Sequence, residues 1–457
     1  MYVVQFTIRI HIAIEVTNMK IFSLSSAGLM FASVFTVGAA SLAANTVAAV
    51  PNWVATWSAS PQAVWAADFL FPVNAPRVLN DQTIRQVVRV SLGGPRMRIV
   101  LSNAYGLRPI TLGKATAALP ARDGAVAAGS LRTLTFGGRE TATLLPGAAL
   151  LSDPLAWSIP DLGQVTISVY LPQATPVGTF HWDGRQTGWI LPGDQTRVAQ
   201  LKSGPGAVQT TTTRLLLAGI QVETAAPARA VAVLGDSITD GAAASLDKNT
   251  RWPDFLAARL APYGVAVVNA GISGGRLLSD GMGANALARL DRDVLAQPGV
   301  QSVIVLLGIN DIAWPGTAFA PTGRQPTLAA LTAGYRQLIA QAHSRGIRVI
   351  GATLTPFAGA LPNTPLDNYY RFDKDALRGQ VNAWIRHSGA FDAVIDFDAL
   401  VRDPAHPKRM AARFDSGDRL HPGDAGNRAM AEAVDLHALL PHLNTPAETL
   451  PVAARER

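Results

Sequence analysis

The sequence predicts an α/β domain of three layers, α/β/α with a flavodoxin-like parallel sheet, preceded by an all-β domain of sandwich or jelly-roll type. Three observations predict it. Short alternating strands punctuated by Gly and Pro fill the stretch from Val50 to about Thr224 with no helical pattern between them. Beyond Pro227, apolar strand-like runs alternate with amphipathic stretches, the signature of β-α-β units. The 457 residues also exceed the roughly 100–200 of one domain.

In the first region, Thr83–Ser91 alternates as a strand. Arg96–Ser102 follows after Gly93-Gly94-Pro95, and the pair reads as a hairpin. Further strands are expected at Ile110–Ala118, Leu131–Phe136, Ala142–Leu145, Val165–Leu171 and Arg214–Val222. Trp53, Trp57, His181, Trp182 and Trp189 are either core and interface plugs, the favoured reading, or platforms for sugar rings.

In the second region the strands are expected at Ala230–Leu234, Val265–Asn269, Ser302–Leu307, Arg348–Leu354 and Ala393–Phe397. Helices are expected near Trp252–Tyr263, Ala284–Leu295, Leu328–Ser344 and Lys374–His387, with a last one near Ala425–Leu440. The simplest strand order is 2-1-3-4-5. The domains are thus 50–225 and 229–441, between a leader of 1–49 and a tail of 442–457.

The leader has the layout of a secretory signal peptide. Met19-Lys20 precedes an apolar run from Ile21 to Val37, and small residues continue through Ala49. Residues 1–18 read as an upstream extension, and an uncleaved membrane anchor is the competing reading. The expected location is secreted or periplasmic, with no stable membrane insertion after cleavage. Cysteine is absent, which excludes disulfides, thiolate nucleophiles and cysteine metal sites. A formal charge of +7 is carried by scattered arginines rather than a basic run, so nucleic acid is not an expected partner. No histidine pair has metal-ligand spacing, and no Gly-x-Gly-x-x-Gly opens a helix; neither a metal nor another cofactor is expected.

The chemistry gathers at the carboxyl ends of the strands, where open α/β sheets place their ligands. Strand one runs from Val231 into Gly235-Asp236-Ser237. Strand two ends in Asn269 to Gly275, strand three in Gly308-Ile309-Asn310-Asp311. Asp418-Arg419-Leu420-His421 precedes the final helix. A serine hydroxyl needs an adjacent base to attack an acyl carbon, and His421 can be that base. Asp418 can hold its other ring nitrogen, with Asp415 as the competing partner. The backbone N–H groups of Ser237 and Gly274 and the side-chain amide of Asn310 can receive an oxyanion. Asp236 and Asp240 read as turn-shaping residues. Trp314, Pro315 and the 318–325 loop are placed to form one wall of a pocket.

These four blocks resemble those of the SGNH, or GDSL, hydrolases over about residues 229–440. Ile238 stands where the family's name has Leu, a conservative change. The resemblance implies Ser237 as nucleophile, Asp418 and His421 as its partners, Ser237, Gly274 and Asn310 as the oxyanion hole, and a metal-free esterase or lipase. The Trp57–Pro61 opening resembles the leading region of secreted SGNH proteins described by analogy as acetylxylan esterases. The implied substrate is therefore a carbohydrate O-acetyl ester, such as that of acetylated polysaccharide. A lipase or lysophospholipase acting on longer acyl chains is the rival, and a non-catalytic carbohydrate-binding protein is a reading of another class.

Overall fold

A computed structural model describes residues 52–201, 208–225 and 227–443. The leader 1–49, with its signal-peptide reading, and all but the first two residues of the 442–457 tail lie outside the described residues. The described residues form one compact unit.

The first region is strand-rich. One antiparallel sheet has the order Asn52–Ser58, Leu217–Thr224, Gly94–Ser102, Ala149–Leu151, with Leu155–Ile159 also paired to Gly94–Ser102. A second runs Gln209–Thr211, Gly188–Pro192, Gln82–Arg89, Gln164–Leu171, Lys114–Ala118, Arg132–Leu134. Ile84, Val88 and Ile167 of the second sheet share one apolar cluster with Ile99, Leu101 and Ile220 of the first. Burying both inner faces together removes their β-branched and leucine side chains from water, about 25 cal/mol for each Å² of apolar surface.

The expected hairpin of Thr83–Ser91 with Arg96–Ser102 does not form: these strands belong to different sheets. The Gly93-Gly94-Pro95 segment is a corner rather than a reversal. Ser91 N donates to Thr56 O, Leu92 N to Thr56 Oγ1 and Gly93 N to the Asp161 carboxylate, so the amides leading into the corner are engaged by distant segments. A Cβ on Gly93 would lie 2.1 Å from Ile159 O, which leaves room only for glycine. The expected strand 110–118 is likewise two strands, Ile110–Leu112 and Lys114–Ala118, in separate sheets and divided at Gly113.

The second region carries a five-stranded parallel sheet in the order Ala266–Gly271, Ala230–Gly235, Val300–Leu306, Arg348–Ala352, Ala393–Ile395. Counted along the chain this is 2-1-3-4-5. The first crossover leads to one side and the next three to the other, so right-handed connections put their helices on opposite faces. The helix pairings agree: Trp252–Leu260 packs with Asp424–Glu432, and Leu328–His343 with Phe372–His387. The strands read as continuous apolar runs because both faces are covered; all six residues of Ala230–Gly235 are buried. The expected last helix is broken into Asp424–Glu432 and Leu436–Leu439. The Asp435 side chain accepts from His437 N and starts a new helix there.

The two regions are joined through side chains as well as the chain itself. Asn52–Ser58 lies against Ala266–Gly271, with Ala55 N donating to Pro298 O and Ser58 Oγ to Asn269 O. Among the described residues no helix is long and apolar enough to cross a membrane.

Candidate active site

Strand Ala230–Gly235 empties into a one-turn helix, Ser237–Asp240. The turn is tight by necessity: a Cβ on Gly235 would lie 2.1 Å from Thr239 Oγ1 and 2.8 Å from Leu306 O. Asp236 caps the helix by accepting from Ile238 N at 3.0 Å, and Gly241 closes it at φ 101°. Ser237 therefore starts the helix, where backbone N–H groups have no intrahelical partner. The turn-shaping role expected of Asp236 is visible in this cap. The Asp240 carboxylate instead reaches out of the turn, accepting from Ser273 N and Oγ and facing His181.

The 415–421 loop brings a base to that serine. Asp415 accepts from Gly417 N and Arg419 N, and Asp418 Oδ1 accepts from Leu420 N and His421 N. These bonds wind a loop tight enough to put Arg419 at φ 61°. His421 Nδ1 lies 2.5 Å from Asp418 Oδ2, and His421 Nε2 lies 2.8 Å from Ser237 Oγ. Burial alone would raise the Asp418 carboxyl. The hydrogen bond and charge of His421, with the two backbone amides, hold it well below the usual carboxylate range. An ionised Asp418 can only accept, so Nδ1 carries the hydrogen and, in the neutral ring, Nε2 is left to accept from the Ser237 hydroxyl. Asp415, the rival partner, makes no bond to His421.

Asn310 and Gly274 stand at the next strand tips. Asn310 is buried on the short helix Ile309–Ala313, donating Nδ2 to Gly275 O at 3.0 Å and accepting at Oδ1 from the Tyr369 hydroxyl at 2.7 Å. Gly274 has φ +69°, and a Cβ there would lie 2.5 Å from Met282 Sδ, so only bare backbone fits. Ser237, Gly274, Asn310 and His421 all line one cavity of about 320 Å³.

Around this polar edge are buried groups that tie the strand tips together. Asn269 links Thr239 O to Gly271 N. Arg289 donates to the carbonyls of Gly235 and Ala270 at once. Asp311 accepts from Leu277 N and Leu278 N, and burial pushes its carboxyl up to about 6. Burial likewise pushes Asp236 up to about 7.

The rest of the cavity is apolar and comes from both regions. Trp314 stacks on Phe319 with centroids 4.4 Å apart, Phe319 meets Phe71 at 5.3 Å, and Phe71 stacks on Trp182 at 5.3 Å. All four line the cavity, so the expected wall is met at Trp314 and, from the 318–325 loop, at Phe319; Pro315 is not part of it. The first region also braces the loop after Gly274: Gln62 Nε2 and Trp65 Nε1 both donate to Met282 O, at 2.7 and 2.8 Å. His181 is buried at the junction, with Nε2 3.0 Å from Asp240 Oδ1 and Nδ1 3.1 Å from Ser60 O. Burial alone would raise Asp240; the charge and bond of His181, with Arg251 and Ser273, hold it below the ordinary value. Trp53 and Trp57 stack instead with Arg98 and Arg214.

Sequence reasoning named the four strand-tip blocks and did not find Tyr369, Arg289 or Gln62. Each is a lone residue with no local pattern around it. Among the described residues no group of three His, Cys, Asp or Glu side chains is arranged to hold a metal ion.

Residues 233–429 match the model of the GDSL-like lipase/acylhydrolase family. No curated protein matches the chain. Solved structures similar to part of it include an acetylxylan esterase from Geobacillus stearothermophilus, 24% identical, covering 45% of this chain and 91% of that one, with a TM-score of 0.34. An aryl esterase of M. smegmatis is 18% identical over 45% and 96% of the two chains, with a TM-score of 0.35. A GDSL-like lipase from Bacteroides thetaiotaomicron VPI-5482 is 20% identical over 45% and 85%, with a TM-score of 0.33.

Proposed function

We propose, from the match of residues 233–429 to the GDSL-like lipase/acylhydrolase family, that the protein is a carboxylic ester hydrolase working through an acyl-enzyme on Ser237. The observation that carries the proposal is the relay Ser237 Oγ–His421 Nε2 at 2.8 Å and His421 Nδ1–Asp418 Oδ2 at 2.5 Å. Ser237 attacks the ester carbonyl as His421 takes its proton. Asp418 keeps the ring in the required tautomer and balances the imidazolium that forms. The oxyanion is received by the N–H groups of Ser237 and Gly274 and by the Asn310 amide. His421 then protonates the leaving alcohol, and water activated by the same ring releases the acid. We read 50–225 as a β-sandwich module, 229–441 as the catalytic domain, and the whole as exported.

A serine-directed fluorophosphonate is expected to give one covalent adduct, located on Ser237 by mass spectrometry and lost in Ser237→Ala. An adduct elsewhere that persists in the variant would overturn the assignment.

For the substrate, the carbohydrate O-acetyl reading rests on the exported character and the appended β module. A second reading, an ester with a longer acyl or an aryl group, is favoured by the cavity. Its wall beside Ser237 is formed by Phe71, Trp182, Met282, Trp314 and Phe319, and sugar hydroxyls would find few polar partners there. We take the apolar ester as the better supported of the two. Rates on p-nitrophenyl esters from acetate to palmitate are expected to peak above acetate, with little acetate released from acetylated xylan. A maximum at acetate together with release from xylan returns the carbohydrate reading.

A further inference from the structure

We infer that Tyr369 is a positioning residue that fixes the Asn310 carboxamide with one N–H turned toward the oxyanion. This rests on the acyl-enzyme reading above and adds a residue outside the four blocks. The argument starts from what an amide can do. Asn310 has an oxygen that only accepts and an NH2 with two hydrogens to donate. Gly275 O can only accept, so the amide end 3.0 Å from it must be the NH2. The oxygen then points to the other side and, being buried, needs a donor. The Tyr369 hydroxyl lies 2.7 Å from it and is the donor the structure supplies. The two contacts together determine which way round the amide sits. They use one N–H and leave the second for the cavity that Asn310 shares with Ser237 and Gly274.

Tyr369 is itself held firmly. It is buried, its ring meets Phe357 edge-on at 6.0 Å, and its backbone N–H donates to Leu366 O. Buried Lys374 donates to Asn368 O, next to Tyr369, and to Ala313 O at the end of the Asn310 helix. One ammonium thus joins the segment carrying the tyrosine to the helix carrying the amide. Burial, with Asp236, Asp311 and Asp418 adding to it, raises the phenol far above its ordinary value, so it stays a donor through the working range of a serine esterase.

An oxyanion donor acts in the transition state and not on bound substrate, so a tilted amide lowers kcat and leaves KM in place. The test is a double-mutant cycle on p-nitrophenyl butyrate with Tyr369→Phe, Asn310→Ala and the pair. Tyr369→Phe keeps the ring and removes only the hydroxyl. It is expected to lower kcat about tenfold with KM nearly unchanged, and to lower the thermal midpoint modestly because the buried Asn310 Oδ1 loses its donor. Asn310→Ala is expected to lower kcat about a hundred- to a thousand-fold, and Tyr369→Phe to add nothing to it. Full kcat in Tyr369→Phe with a large loss in Asn310→Ala overturns the role of Tyr369 alone. Multiplying losses in the pair overturn it too, since Tyr369 would then act on something else. If Asn310→Ala keeps its kcat, the oxyanion reading falls and the positioning role falls with it; phosphonate labelling of Ser237 reads the nucleophile independently of both.

Discussion

The polar edge of the parallel sheet and the aromatic wall opposite it are built in contrasting ways. On the sheet edge each atom has a fixed partner: Ser237 to His421, His421 to Asp418, Asn310 to Gly275 and Tyr369. The wall from Trp314 through Phe319 and Phe71 to Trp182 is held by ring contacts that specify surface rather than bond direction. The edge comes almost wholly from the second region, and half of the wall from the first. On the proposed mechanism, the edge carries the reaction and the wall the selection.

Substitutions can break that division. The largest effect is expected from Asp418→Asn, which keeps the shape of the loop but favours the wrong tautomer of His421. Turnover should fall about ten-thousand-fold, and equally for short and long acyl esters, in steady-state assays. A fall confined to one chain length would tie the edge to selection. Next is His181→Ala, which cuts the buried contact between the regions and leaves Asp240 without it. Urea unfolding should show a loss of about 3–5 kcal/mol. A change within experimental scatter would mean the junction is held elsewhere.

Asp236→Asn should sharpen the electrostatics of the edge. The Asp236 carboxyl lies at about 7 when folded, raised by burial, against an ordinary 3.8. The folded chain therefore holds a proton that the unfolded chain has lost between those values, and the native protein loses stability as pH rises through that window. The Asn variant lacks this slope, and its stability relative to native should rise by about 4 kcal/mol between pH 4 and pH 8, read from denaturation midpoints. A constant difference across pH would count against a buried neutral acid. Phe71→Ala should give the smallest effect, about a tenfold loss in the ratio of long-chain to acetate turnover with the acetate rate kept. An equal loss on both would move Phe71 from selection to reaction.

The second region was largely legible from its residues. Its strands are continuous apolar runs, their ends carry short dense motifs, and a parallel sheet allows few topologies. Gly235-Asp236-Ser237 and Asp418 to His421 therefore announce themselves locally. The first region was less legible. Period-two alternation marks Gln82–Arg89 and Gly94–Ser102 as strands but does not say what they pair with, and bonds from Thr56 and Asp161 decided that. Tyr369 and the pair of Gln62 and Trp65 were invisible for the same reason: their partners are 59, 220 and 217 positions away. Nothing near them in the chain hints at the meeting.

The Met282 carbonyl, which takes both of those last bonds, bears on portability. The loop whose glycine faces Ser237 leans on side chains more than two hundred residues earlier. The four-block motif is therefore not a self-sufficient cassette. Cut from residue 229 onward, the chain would keep every motif residue, yet lose the outside support of the loop after Gly274 and the Phe71 and Trp182 side of the cavity. On the proposed mechanism, a relative with the same blocks but a different leading segment would inherit the reaction without inheriting the substrate.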